Sequence, residues 1–252
     1  MRRVVVIPAR LESKRLSNKL ILDLKGKTII ERVYDKCKKV DGAEVYIATD
    51  SSKIERVCKN FTDNIILTKK THKSGTDRIA EAVSLLNCES VINVQGDEPF
   101  IDPKLINNLF ELLEEDKEIN MVSAMEKINK LDDFKDPNVV KVITDYNNNA
   151  IYFSRSPIPF CLSNEDNCLN EEVFLKHKLY KHIGIYGYKK AFLLKYTEME
   201  ESSLELIENL EQLRAVENGY KIKMMETTSK SLGIDTIEDY TKALNLIENG
   251  FK

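Results

Sequence analysis

The chain has 252 residues, 42% hydrophobic and 31% charged, which is enough apolar material to bury a full core and excludes a disordered polymer. A net charge of −3 excludes the global basic field that binds nucleic acid or anionic membrane, so basic chemistry has to be local. The five cysteines (Cys37, Cys58, Cys88, Cys161, Cys168) show neither C-x-x-C nor zinc spacing, which predicts free thiols in a reducing cytoplasm. No apolar run approaches the roughly 20 residues of a spanning helix. Val4 to Ala9 is also too short for the apolar core of a signal peptide, even behind Met1-Arg2-Arg3. A cytoplasmic protein with no membrane partner and no nucleic-acid partner is expected.

In chain order, Val4 to Ala9 reads as a strand. Residues 28–39 read as a helix with Ile29, Ile30, Val33 and Cys37 on one face, and 44–49 as the next strand. A helix at 53–60, a strand at 65–67, a helix at 76–86, a strand at 90–95 and a helix at 105–115 follow. Strand and helix alternate about every 20 residues, the βαβ signature of a parallel sheet.

After residue 118 the pattern changes. Strands at 121–126 and 139–144, the turn Asp145-Tyr146-Asn147-Asn148-Asn149 and a return strand at 150–154 predict an antiparallel hairpin. Residues 155–178, with Pro157 and Pro159, are the least regular and are expected to be a loop. A strand at 183–188 precedes a helix opened by a capping box, Ser202 with Glu205. That helix is expected to carry Leu206, Leu210 and Leu213 on one face and to end near Gly219. A strand at 221–225 and a helix at 237–248 close the chain. The expected fold is α/β, a mostly parallel sheet flanked by helices with a smaller antiparallel insertion.

Two strand ends carry chemistry. The run Val91-Ile92-Asn93-Val94-Gln95 stops at Gly96-Asp97-Glu98-Pro99, which places Asp97 at the rim of the sheet, where ligands of open α/β sheets bind. Val4 to Ala9 breaks into a stretch holding Arg10, Lys14, Arg15 and Lys19. Either feature alone is ordinary, since Asp-Glu-Pro is common at turns and a basic stretch is often a solvated loop. Together they are what a magnesium polyphosphate needs: carboxylate for the cation and Arg or Lys for the remaining charge. Gly26-Lys27-Thr28 imitates the tail of a phosphate-binding Walker loop, but Ile21 stands where its first glycine belongs. His177 and His182 do not fit H-E-x-x-H. The reading from residues is a nucleotide-using enzyme.

Longer motifs sharpen it. Ile7-Pro8-Ala9-Arg10-Leu11-Glu12-Ser13-Lys14-Arg15-Leu16 with Lys19, Ala48-Thr49-Asp50, Ser74-Gly75-Thr76-Asp77-Arg78, Asn93 to Pro99, Tyr152-Phe153-Ser154-Arg155, His182-Ile183-Gly184-Ile185-Tyr186-Gly187-Tyr188, Glu208-Asn209-Leu210-Glu211-Gln212-Leu213-Arg214 and Gly233-Ile234-Asp235-Thr236 occur in order. This set resembles the 3-deoxy-manno-octulosonate cytidylyltransferase (CMP-KDO synthetase) family. The resemblance implies a Rossmann-like fold of the nucleotide-diphospho-sugar transferase type, in one domain over 1–252 with a nucleotide-binding half at 1–118 and a sugar-binding and dimerisation half at 119–252. It implies that CTP and KDO give CMP-KDO and diphosphate for lipopolysaccharide synthesis, with catalysis by Asp97, Asp235, Arg10 and Lys19. Arg10 and Lys19 would grip the triphosphate with Arg15 nearby, and Asp97 and Asp235 would hold Mg²⁺. Gln95 and the turn from Ser74 to Arg78 would line the cytidine pocket. Arg155, His182, Tyr186, Glu211 and Gln212 would surround the acid sugar. A homodimer is implied, with the stretch 183–188 as the candidate interface.

One segment departs from the family. Where the family reads Arg-Leu-Pro-Gly-Lys-Pro-Leu, this chain has Arg15-Leu16-Ser17-Asn18-Lys19-Leu20-Ile21. Asn18 is expected to take left-handed angles in place of glycine, and the missing prolines to loosen the loop. The alternatives are activation of 8-amino-KDO or of a nine-carbon sialic-type acid, or a silent nucleotide-sugar-binding protein.

Overall fold

The computed structural model describes residues 1–11, 15–160, 177–229 and 232–249. Its elements in chain order begin β1 (Arg3–Ala9), α1 (Ile29–Cys37), β2 (Ala43–Thr49), α2 (Ser52–Cys58), β3 (Ile65–Leu67), α3 (Gly75–Ser84), β4 (Ser90–Asn93) and α4 (Pro103–Glu115). They continue with β5 (Met121–Lys127), α5 (Leu131–Lys135), β6 (Lys141–Thr144), β7 (Ala150–Ser154), β8 (Tyr180–Lys189) and α6 (Lys190–Thr197). The last are α7 (Ser203–Glu208), α8 (Leu213–Glu217), β9 (Ile222–Glu226) and α9 (Ile237–Asn249).

The chain forms two compact units, neither contiguous in sequence. The first gathers Met1–Glu111, Gly187–Thr197 and Ser229–Lys252; the second gathers Leu112–Tyr186 and Glu198–Thr228. The chain thus returns twice to its first unit. Apolar burial explains the last return: Ile234 and Ala243 share one buried cluster with Leu24, Ile29 and Phe100.

In the first unit β3, β2, β1 and β4 lie side by side, and every pairing is parallel. Central β1 is buried from Val4 to Ala9, as a strand covered on both faces must be. Helix starts follow from local chemistry. Thr28 accepts the Glu31 amide at 3.3 Å, and Ser74 and Asp77 cap α3 reciprocally, each backbone amide reaching the other's side chain at 3.1 Å. The three described cysteines in this unit, Cys37, Cys58 and Cys88, are free and buried. Helix α6 is unsignalled in the sequence, because apolar Phe192, Leu193 and Tyr196 follow directly on the apolar strand before them.

In the second unit β5 pairs in parallel with β9, from Met121 with Ile222 to Met125 with Glu226. The expected hairpin is present as β6 and β7, antiparallel, and β6 also pairs antiparallel with β8. Its turn is held by the Asp145 carboxylate, which accepts the Asn147 amide at 2.9 Å and the Asn149 amide at 2.7 Å, with Asn148 at φ 56°. Most of the irregular stretch at 155–178 lies outside the described residues.

The helix expected from Ser202 to Gly219 is a correction. It is two short helices, α7 and α8, separated because Asn209 takes a left-handed conformation at φ 52°. Leu206 is 63% exposed while Leu210 and Leu213 are buried, so the three leucines do not share a face. The expected capping box of Ser202 and Glu205 opens α7, with Glu205 accepting the Ser202 amide at 3.0 Å. The other carboxylate bonds of Glu205 go to Arg214, Nε at 2.8 Å and Nη2 at 2.6 Å, a buried two-pronged pair linking α7 to α8. In the stretch 183–188, Ile185 and Tyr188 are core side chains, 3% and 1% exposed, while Ile183 and Tyr186 are half-buried and Gly184 is exposed. Among the described residues no helix is long and apolar enough to cross a membrane.

Candidate functional site

In the first unit β1 and β4 end side by side, with Val6 paired to Asn93. The residues beyond them bring Arg10 to the same sheet edge as Gln95, Gly96 and Asp97. Gly96 permits that approach, since a Cβ there would lie 3.1 Å from the Pro8 carbonyl oxygen and 3.2 Å from a Leu20 methyl. Lys19 opens a short 3-10 turn, Lys19–Ile21, directly after Asn18, whose φ of 53° and ψ of 27° are left-handed as expected of a glycine stand-in.

Lys19 is the hub. Its Nζ donates to Asp97 Oδ2 at 2.5 Å and to Asp235 Oδ1 at 2.8 Å, and Asp235 Oδ2 accepts from Arg15 Nη2 at 3.0 Å. The two acid-bearing segments are tied by a backbone bond, Ile234 N–H to Asp97 C=O at 2.9 Å. Asp235 is not spent on capping α9: Thr236 and Asp239 do that reciprocally, at 3.2 Å and 3.1 Å. Lys19 is only 8% exposed. Burial works to lower its pKa, but the Asp97 and Asp235 carboxylates outweigh it, and the net direction is up. The ammonium therefore stays charged between two acids.

A cavity of about 310 Å³ opens there, lined among others by Arg10, Lys19, Ser74, Gln95 and Asp97. Arg10 Nη2 is buried without a hydrogen-bond partner among the described residues, a donor that an anion could satisfy. Arg78 does not line this cavity. It is fully buried, its Nη2 paired with Asp50 at 2.7 Å and its Nη1 with Thr68 Oγ1 at 2.5 Å. Arg10 also borders a second cavity, of about 740 Å³, together with Asp50, Lys70, His72 and Arg78.

The other expected residues belong to the second unit. His182 packs edge-on to Phe153 with ring centroids 5.1 Å apart and tilted against Tyr186 at 5.3 Å, and its Nε2 lies 2.9 Å from Ser123 Oγ. Desolvation pushes its pKa down to about 3, so the imidazole is neutral at neutral pH. Burial, and after it the charge of Glu211, pushes the Tyr186 phenol up. Gln212 is 3% exposed and its Nε2 has no partner among the described residues.

Arg155 is occupied. Its Nε donates to Glu208 C=O at 2.8 Å, Nη1 to Pro137 C=O at 3.1 Å and Nη2 to Asn209 C=O at 3.4 Å. In this arrangement it clamps backbone rather than offering an open fork to a carboxylate.

Two supporting residues had no role assigned from the sequence, although Glu208 heads the motif that runs on to Arg214. Glu208 accepts the Ser154 hydroxyl at 2.6 Å and the Arg155 amide at 2.9 Å. Buried Lys141 donates from Nζ to the carbonyls of Asp136, Val139 and Arg155 at 2.9, 2.6 and 2.6 Å. A lysine among valines in a strand reads as solvent-facing, and only tertiary carbonyls explain its burial.

The neutral His182 makes a pH prediction. Its folded pKa lies below the ordinary 6.5, so below that pH the unfolded chain takes up a proton that the folded chain refuses. Stability is fully present above pH about 6.5 and falls as pH drops toward 3, by up to ~1.4 kcal/mol per pH unit from this group. Urea unfolding between pH 7 and 5 should show a steeper loss for the wild type than for His182→Gln. Equal slopes would contradict the buried neutral ring.

Residues 4–223 match the family model described as cytidylyltransferase. A parallel sheet with a basic loop and converging acids at its edge, under that match, defines a cytidylyltransferase. The protein called 3-deoxy-manno-octulosonate cytidylyltransferase in Geotalea uraniireducens is 41% identical over 251 residues, 98% of this chain and 100% of the relative. The one of that name in Francisella tularensis strain SCHU S4 is 44% identical over 246 residues, 96% of this chain and 97% of the relative. A solved structure of CMP:2-keto-3-deoxy-manno-octonic acid synthetase complexed with CTP is 34% identical with a TM-score of 0.90, covering 99% of each chain. The chain belongs to the 3-deoxy-manno-octulosonate cytidylyltransferase family.

Proposed function

We propose that this chain transfers CMP from CTP to the anomeric 2-hydroxyl of KDO and releases diphosphate. The sugar oxygen forms a bond to the α-phosphorus while the α–β bridging P–O bond breaks, and the hydroxyl proton is lost. Reactions of this type depend mainly on positioning and charge neutralisation. The observation that carries the reading is the convergence of Asp97 and Asp235 on one ammonium at 2.5 and 2.8 Å, beside Arg10 and Arg15.

Those two carboxylates are also a donor set that suits Mg²⁺, which is bound by one or two carboxylates with phosphate oxygens and water completing its shell. Asp97 and Asp235 would hold the ion, and when bound it supplies positive charge to the phosphate oxygens. Arg10, Arg15 and Lys19 neutralise the triphosphate, Lys19 exchanging its carboxylate partners for phosphate. Gln95 and Ser74 border the cytidine. In the second unit His182, Tyr186, Glu211 and Gln212 bind the acid sugar, with Arg155 shaping the backbone around them. The reading includes a cytoplasmic homodimer that supplies lipopolysaccharide assembly. Ile151, Leu206 and Ile207, 55%, 63% and 76% exposed, are apolar surface for a second copy.

Diphosphate release from CTP and Mg²⁺ should be fast with KDO and slow with 8-amino-KDO and sialic acid. A preference for either of the latter moves the substrate, and silence with all three overturns the enzyme reading.

A further inference from the structure

Ser123 of β5 is fully buried, and its hydroxyl faces three groups of β8: Ile185 C=O at 2.8 Å, Ile183 C=O at 3.3 Å and His182 Nε2 at 2.9 Å. A hydroxyl has one proton to give. Carbonyl oxygens only accept, and two oxygens 2.8 Å apart repel unless a hydrogen lies between them, so the Ser123 proton points at Ile185 C=O. What remains for His182 is a Ser123 lone pair. The 2.9 Å bond is thus donated by His182 Nε2–H.

A neutral imidazole carries a single N–H, so the Nδ1 of His182 holds a lone pair. No hydrogen bond to Nδ1 is found among the described residues, and His182 as a residue is only half-buried. Phe153 and Tyr186 hold its plane.

The geometry points to Ser123 as a positioning residue that locks His182 in the Nε2–H tautomer and presents Nδ1 as the acceptor for a hydroxyl of the acid sugar. The inference rests on the reading that the second unit binds KDO. His182 thereby discriminates between ligand groups, because a hydroxyl brings a proton to that lone pair, whereas the sugar carboxylate brings only lone pairs of its own and is turned away.

Nitrogen-15 spectra of the histidine rings test the tautomer, with His182 identified by comparison with His182→Gln. The wild type should show a protonated Nε2 and a bare Nδ1 whose resonance moves when KDO is added. In Ser123→Ala the tautomers should mix and KM for KDO should rise about tenfold, the scale of one hydrogen bond, with KM for CTP unchanged. Ser123→Thr, which keeps the hydroxyl, should restore both. A wild-type ring protonated at Nδ1, or an Nδ1 resonance indifferent to KDO, overturns the inference even if Ser123→Ala fails to fold. So does Ser123→Ala with unaltered tautomer and KM. Absence of turnover and of KDO binding beside an intact Nε2–H ring removes the substrate reading and the sugar hydroxyl with it, while leaving the tautomer assignment standing.

Discussion

Replacing Asp97 by alanine should lower kcat for diphosphate release by about a thousandfold, the loss associated with a principal electrostatic group in a preorganised site. Asp97 shares Lys19 Nζ with Asp235 at 2.5 and 2.8 Å, so its removal deletes half of the negative charge that gathers cation at the sheet edge. The fold should survive. Asp97 is partly exposed, and Lys19 keeps Asp235 as a partner, so the variant should unfold near the wild-type denaturant midpoint. Asp235→Asn should show the same pattern, but less severely if one carboxylate suffices to seat the ion. Both losses should be read at saturating CTP and Mg²⁺, because a defect cured by more substrate would be one of binding alone. Turnover of Asp97→Ala within tenfold of wild type would remove this acid from the reaction and with it the main support for the proposed chemistry.

The second large effect is on stability. Arg214→Met should destabilise the protein by about 3–5 kcal/mol, because it strands a buried Glu205 carboxylate that had both oxygens on one guanidinium. Glu205→Leu should cost a similar amount for the opposite reason. The double variant should recover most of the loss or exceed the wild type, since buried pairs rarely outperform a well-packed apolar replacement. Denaturant titration of the three variants completes the cycle. Single substitutions that cost under about 1 kcal/mol would mean that the pair behaves as a solvated surface bridge. Arg214 lies in the Leu210 to Arg214 motif that marks the family, and the structure gives it this pairing role.

The strands of the first unit were legible because each is a short apolar run bounded by polar residues, and parallel strands buried on both faces have no other pattern. Asn18 was readable in the same way, since few residues besides glycine and asparagine accept a left-handed turn before Lys19. The run 202–219 misled because Leu206, Leu210 and Leu213 have helical spacing, whereas Asn209 breaks the helix and only packing tells which leucines are covered. The pairing of Arg78 with Asp50 and Thr68 was not readable, because those partners come from other segments of the chain.

By itself the sequence determined the alternating α/β order, the two strand ends that carry carboxylate and cation, and the family. The tertiary structure alone decided that Asp97 and Asp235 meet on Lys19, that Arg155 and Arg214 are occupied, that Lys141 is buried, and which nitrogen of His182 Ser123 holds. The reason is range. Strand and helix patterns are set by neighbours a few residues away and are written into local spacing, whereas a carboxylate's partner, a lysine's burial and a histidine's tautomer depend on groups brought from distant parts of the chain.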